Sequence, residues 1–280
     1  MRKPPAKGHG GKRRLAMRVE LLAIDCQNDF CDPGGALYVP GAENDMTRLV
    51  AFIARIGDRL HNMHFTLDTH HTLDVGHPIF WKNSAGESPD PFTTITHEDV
   101  KAGNWLPYNS AFTQRMLDYT RLLEENNRYQ LTIWPIHCRI ATWGSALYPA
   151  VDQAVRDWEV SQLGVVDFVT KGSNIFTEHY SAVKADVPDP DDPATQLNTD
   201  LIQKLERCDQ VIVVGEALSH CVASTVRDIA AEFGDEGAKN FVILEDCSSN
   251  VPGFESLGDA FLHDMSQLGV TIANSVDFMR

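Results

Sequence analysis

The sequence predicts an α/β protein of three layers, with helices on both faces of a largely parallel sheet, and three observations carry that expectation. Short runs rich in β-branched residues alternate with segments of helical period along almost the whole 280-residue chain. Polar residues able to do chemistry (Asp25, Asp68, Lys171) stand where such runs end, as in open sheets whose ligands bind outside the carboxyl ends of the strands. An apolar content of 43% over that length suffices for one large core, so residues 18–280 are expected to form one domain.

The elements follow in chain order. Val19–Ile24 (VELLAI) is an unbroken apolar run closed by Asp25, which predicts a buried strand over about 19–25. A helix is expected over 43–61 and a strand over 63–68. Residues 78–130 break the rhythm: PIFWKNSAGESPDPFTTITHEDVKAGNW mixes aromatic residues with Pro, Gly and acids, and 109–129 then reads as a helix. A connection of this length is functional or separately packed, so either a cap over a pocket or a surface or subunit-contact excursion is expected. A strand at 130–134, a helix at 145–158 and a strand at 164–170 come next. The last part alternates helix 198–207, strand 210–215, helix 222–233, strand 240–245, helix 256–268 and strand 269–273.

Composition excludes several classes. A formal charge of −15 leaves no basic footprint for nucleic acid, and no apolar run approaches the ~18 residues that would span a bilayer. Residues 1–17 are the exception to the acidic balance; basic and rich in Pro and Gly, they read as a disordered tail. Its paired arginines are followed by no uncharged apolar stretch before Arg18 and Glu20, so no secretory signal is expected. The six cysteines (26, 31, 138, 208, 221, 247) do not make a disulfide scaffold. A working thiolate needs a reducing compartment, so a cytoplasmic location is expected; a homo-oligomer is left open.

Cys221 is the most informative residue. It closes Val211–Cys221 (VIVVGEALSHC), a β-branched run ending at Gly215, and precedes the helix-periodic VASTVRDIAAEF. A thiol at a strand-to-helix turn has backbone N–H groups beside it to meet an oxyanion, and the helix N-terminus favours its thiolate. Asp25 and Lys171, at the ends of other expected strands, would share its crevice, as proton carrier and electrostatic support. Asp68-x-His70, with His77 further on and His137 in WPIHC, forms a second signal. Residues i and i+2 of a strand share a face, so Asp68 and His70 can point at one ion. Read alone, these histidines fit a metal site or ordinary polar and core positions.

In combination, DCQNDFCDPGGALYVPGA (25–42), LDTHH (67–71), WPIHCRIATWGSAL (134–147), KGSNIFTEHYSAV (171–183) and GEALSHCVAST (215–225) resemble the ordered motifs of nicotinamidases, in the isochorismatase-like cysteine hydrolase superfamily. The similarity spans about 18–278. It implies the isochorismatase-like hydrolase fold, a catalytic triad of Asp25, Lys171 and Cys221, and an oxyanion hole at the N–H groups of Ala217 and Cys221. It implies Asp68, His70 and His137 as ligands of one divalent ion, zinc first with iron or manganese as alternatives, and Phe30, Trp134 and Tyr180 as aromatic walls. His77, preferred over the adjacent His71, would be a further ligand. The implied reaction converts nicotinamide, a small-molecule amide, to nicotinic acid and ammonia through a thioester on Cys221, with Lys171 and the helix N-terminus populating the thiolate.

Two departures stand out. The spacing after Asp68-x-His70 leaves the ligand count open, and Glu216 occupies a position where relatives carry a small or apolar residue; it is expected to point outward. Two alternatives are carried forward, another superfamily amidohydrolase acting on a carbamoyl or ureido substrate and a non-catalytic metal-binding module.

Overall fold

A computed structural model describes residues 17–126 and 129–280. The expected tail therefore lies, Met17 apart, outside the described residues. Six strands form the central sheet: β1 (Val19–Ile24), β2 (Asn62–Asp68), β3 (Asp167–Lys171), β4 (Gln210–Gly215), β5 (Phe241–Leu244) and β6 (Thr271–Ala273). Every pairing is parallel and the order is β6-β5-β4-β1-β2-β3. All six β1 residues are buried, as a central strand covered on both faces requires. Helix Ala42–Ile56 packs with Pro149–Gln162 on one side of the sheet, and Thr199–Glu206 and Glu255–Gln267 pack with Ala223–Ala238 on the other. The expected three-layer α/β/α arrangement is the one observed.

This strand order positions the site. The chain steps outward from β1 through β2 to β3, then crosses back to lay β4 on the other side of β1, with Ile24 opposite Gly215. The crossovers on either side of this switch point diverge, which opens a crevice at the carboxyl ends of the strands. Asp25 leaves β1 there, and the turn carrying Cys221 leaves β4.

The expected strand over 130–134 does not join this sheet. Only Leu131–Thr132 is extended, paired antiparallel with Thr94–Ile95 outside the main sheet, because β3 takes the place beside β2. Leu131 and Ile133 instead enter a second, smaller core with Phe80, Trp81, Met116 and Leu123. An apolar run declares that it will be buried but not against which surface. The excursion is thus separately packed, with its own helices His97–Ala102 and Thr113–Glu125. Four helices also differ in their bounds: the helix expected over 43–61 ends at Ile56, where a 3-10 turn Gly57–Arg59 begins, that over 109–129 contracts to Thr113–Glu125, that over 222–233 runs on to Ala238, and that over 145–158 starts at Pro149 and runs to Gln162. Proline suits a first helical position because its missing N–H would be unpaired there anyway. Among the described residues no helix is long and apolar enough to cross a membrane.

The opposite end of the sheet holds a charged cluster. Buried His64 bridges Glu20 Oε2 (2.7 Å) and Asp167 Oδ2 (2.8 Å), and Arg18 Nη2 reaches Glu20 Oε1 at 2.7 Å. Burial pushes the Glu20 carboxyl up, but hydrogen bonds from His64 and Arg18 outweigh it and bring it down to about 2. A carboxyl lowered by folding stabilises the fold above its unfolded value and loses that contribution as pH falls through the folded value. Glu20→Gln should therefore cost about 2 kcal/mol at neutral pH, discounted for solvent screening. The difference in Tm from wild type should shrink as pH is lowered from 5 towards 2; an equal difference throughout would remove Glu20 from the acid response.

Candidate active site

Asp25 sits at the end of β1 in the left-handed region, with φ of 48°. Its N–H donates to the Thr66 carbonyl and hydroxyl, and the Thr66 hydroxyl donates back to Asp25 Oδ1 at 2.5 Å. Lys171 is the last residue of β3, and its side chain is 1% exposed. Its Nζ lies 2.9 Å from Asp25 Oδ2, 3.1 Å from Asp68 Oδ1 and 3.6 Å from Cys221 Sγ. The next residue must be glycine: Gly172 has φ of 87°, and a Cβ there would stand 2.7 Å from Asp68 Oδ1. Asp25, Lys171 and Cys221 are thus brought together from three strand ends.

The charges in this cluster set one another. Burial alone would lower the Lys171 ammonium, but Asp25 and Asp68 more than offset it and hold it well above the ordinary lysine range. Burial raises Asp25, with Lys171 opposing and Asp68 adding to the rise. Burial also acts to raise Asp68, yet the charges of His70 and Lys171 take it well below the carboxylate norm. Cys221 is pushed well above the usual thiol range by burial, against Lys171 and with Asp25 and Asp68 adding to the rise. The expectation that Lys171 and a helix N-terminus populate a resting thiolate is therefore corrected. One ammonium is shared between two carboxylates, and Cys221 lies inside a π-helical turn, Leu218–Val222, rather than at the first residue of the helix that starts at Ala223.

Ala217 lines the cavity beside Cys221, and the Glu216–Ala217 peptide is cis. Glu216 is not among the lining residues and so points away from the cavity, as expected. It is fully buried, with Oε2 accepting the Ser249 N–H at 3.0 Å.

Beside the triad, Asp68 Oδ2 lies 2.9 Å from His70 Nε2 and 3.4 Å from His137 Nε2. The three donors fall within 4.8 Å of one another. Each imidazole is oriented through its other nitrogen: His70 Nδ1 meets Asp74 Oδ2 at 3.0 Å, and His137 Nδ1 donates to the Pro135 carbonyl at 2.8 Å. Partners of this kind leave Nε2 free to ligate. One carboxylate and two convergent Nε2 atoms fit a divalent ion with open positions for substrate or water. His77 falls outside this trio. Its Nε2 meets His137 Nδ1 (3.4 Å), the side of the ring away from Asp68, and burial with the neighbouring His137 and His70 pushes it down to about 4. His71 is exposed.

Phe30, Trp134 and Tyr180 all line the cavity. Trp134 Nε1 donates to Tyr180 Oη at 2.9 Å, and Phe30 stands edge-on to His137 at 5.5 Å. The excursion buttresses this wall from behind: Phe92 packs edge-on against Trp134 at 5.9 Å, and the Tyr119 hydroxyl accepts the Glu178 N–H at 3.1 Å. Asp29 ties the first motif to the His137 loop, accepting N–H bonds from Ala36 (3.0 Å) and Cys138 (2.6 Å).

Sequence reasoning missed five lining residues, the apolar Leu37 and Val251 and the polar Glu178, His179 and His220. Glu178 Oε1 and His179 Nε2 are buried without a protein partner. The three polar ones stand within two residues of assigned positions in the motifs, but Glu and His at those places carry no periodicity that says which way they face. Cys31 and Cys138 are buried and do not line the cavity.

No protein-family profile matches the chain. It is 30% identical over 228 residues to the nicotinamidase of Saccharomyces cerevisiae, covering 80% of this chain and 85% of that protein. It is 28% identical over 265 residues to the nicotinamidase of Escherichia coli, covering 92% and 95%. Among solved structures, the Acinetobacter baumannii nicotinamidase/pyrazinamidase superposes with a TM-score of 0.62 at 22% identity, covering 94% of this chain and 99% of that one. Identity of 30% with the yeast enzyme over 80% of this chain, on a fold shared with a solved nicotinamidase, places this chain in the nicotinamidase family.

Proposed function

We propose that the protein hydrolyses nicotinamide to nicotinic acid and ammonia through a thioester on Cys221. The observation that carries this reading is the Lys171 ammonium wedged between Asp25 (2.9 Å) and Cys221 (3.6 Å), beside an Asp68–His70–His137 trio in an aromatic-walled cavity. Asp25 is a stronger base than an ordinary carboxylate, because burial raises it. It takes the Cys221 proton as Sγ bonds to the amide carbon, so a thiol at rest becomes a nucleophile only as attack occurs. The carbonyl oxygen gains charge and is met by the N–H groups of Ala217 and Cys221. Collapse breaks the C–N bond while Asp25 returns its proton to the departing ammonia. Asp25 then takes a proton from water, whose oxygen attacks the thioester carbon, and gives it back to the Cys221 sulfur as nicotinic acid leaves. Lys171 keeps its charge throughout and holds Asp25 in reach.

Asp68, His70 and His137 would hold a divalent ion that supplies a Lewis-acid anchor for a ring nitrogen. A pyrazinamidase of Pyrococcus horikoshii with this fold was solved in complex with zinc, and zinc is the ion proposed here, on the mixed N/O donor set. Six unpaired cysteines suit a reducing, cytoplasmic setting.

The test is ammonia release from a panel of amides. Nicotinamide and pyrazinamide, which offer a ring nitrogen, should be turned over. Benzamide, equally flat but lacking that nitrogen, should fall by about 10- to 100-fold in kcat/KM, the worth of one lost polar contact. Turnover of an aliphatic carbamoyl compound with none of nicotinamide would replace this reading by a different amidohydrolase using the same thiol.

A further inference from the structure

Glu216 is absorbed by no step above, although it adjoins the peptide that presents Ala217. It extends β4 by one residue, its N–H donating to the Ile24 carbonyl at 2.8 Å. Ala217 lines the cavity, while the Glu216 side chain accepts the Ser249 N–H (3.0 Å) and the Ser249 carbonyl accepts the Leu218 N–H (2.8 Å). Ser249 thus grips the chain on both sides of Ala217. The Ser249 segment is itself anchored: its hydroxyl donates to Asp45 Oδ2 (2.5 Å), Arg48 Nη2 donates to Asp45 Oδ1 (2.5 Å), the Ser248 hydroxyl donates to the Gly215 carbonyl (2.5 Å), and the Val251 N–H donates to Ser219 Oγ (3.1 Å). These bonds tie residues 215–219 to helix Ala42–Ile56 through the segment that follows β5.

We propose that Glu216 is a positioning residue for the oxyanion site, holding the 215–221 turn in register through Ser249 so that the Ala217 and Cys221 N–H groups converge. It does so as the neutral acid. Its second oxygen, Oε1, is buried with no donor, and the carboxyl beside it is Asp45. Two neighbouring buried carboxyls cannot both ionise cheaply; burial, then Asp45, hold Glu216 well above the ordinary glutamate range. A neutral Glu216 puts no negative charge beside the developing oxyanion.

The inference rests on the proposed amide hydrolysis, so the experiment pairs a kinetic readout with one that involves no substrate. Full-length Glu216→Gln keeps an acceptor for the Ser249 N–H and a donor for Asp45, and should retain kcat for nicotinamide within about 3-fold. Glu216→Met fills the volume but does neither. It should lose about 30- to 100-fold in kcat with KM within about 3-fold, as misplaced oxyanion donors do. Amide hydrogen exchange over 215–221 should rise about tenfold in Glu216→Met and stay at the wild-type rate in Glu216→Gln. If Glu216→Met does not fold, Glu216→Asp, one methylene short of Ser249, takes its place in both measurements. Wild-type kcat and exchange in the Met or Asp variant, or a Gln variant that falls as far, would overturn the proposal. If wild-type protein releases no ammonia from nicotinamide, the functional reading fails, and the exchange comparison still decides the role of Glu216.

Discussion

Cys221→Ala should lower nicotinamide turnover by about 10⁴-fold or more while leaving the fold in place, because every covalent step passes through that sulfur. The side chain is small and 6% exposed, and the turn around it is held by backbone and Ser219 contacts that the thiol does not make. Circular dichroism and Tm should therefore stay close to wild type. Cys221→Ser should be nearly as inactive: a hydroxyl is a much weaker acid than a thiol, and Asp25, flanked by Lys171, is too weak a base to activate it. Intact-mass analysis of wild type quenched during turnover should show the added acyl group, and neither variant should carry it. Undiminished ammonia release from a folded Cys221→Ala protein would end the thioester mechanism.

Removal of the metal donors should have the second largest effect. Purified protein should contain about one divalent ion per chain, and His137→Ala should lose it together with about 10³-fold in kcat/KM, in line with several kcal/mol of Lewis-acid stabilisation. His137 contributes its Nε2 at 3.4 Å from Asp68 Oδ2, and its Nδ1 is fixed by Pro135, so no second orientation is ready to compensate. His77→Ala gives the contrasting result, with ion and activity retained, because His77 Nε2 faces the back of the His137 ring. Elemental analysis checks both. Full occupancy after removal of Asp68 and His70 together would place the ion elsewhere, and loss of the ion from His77→Ala would restore the four-ligand site.

The thiol shows how far a local reading reaches. The strand-to-helix setting of Cys221 and the positions of Asp25 and Lys171 at strand ends are written in short windows, and the structure brings the three together. Their proton inventory is not written there. Lys171 and Asp68 are 103 residues apart, yet at 3.1 Å Asp68 draws on the ammonium that the triad alone would give wholly to Asp25. Burial and pairing of this kind hold the Cys221 thiol up, against the expected thiolate.

The sequence by itself determined where apolar runs begin and end, hence the parallel sheet, the strand ends that carry Asp25, Asp68 and Lys171, and the motifs that resemble a family. These are properties of neighbouring residues, set by side-chain period and by the need to bury β-branched runs. Tertiary structure alone decided that Leu131–Thr132 serves a second core, that His77 backs His137 rather than joining Asp68, and that Glu216 turns into the protein towards Ser249 and Asp45. Each of those outcomes depends on which distant surface arrives opposite the residue, and on angstrom-scale distances between charges in a dry environment. No window of sequence contains either quantity.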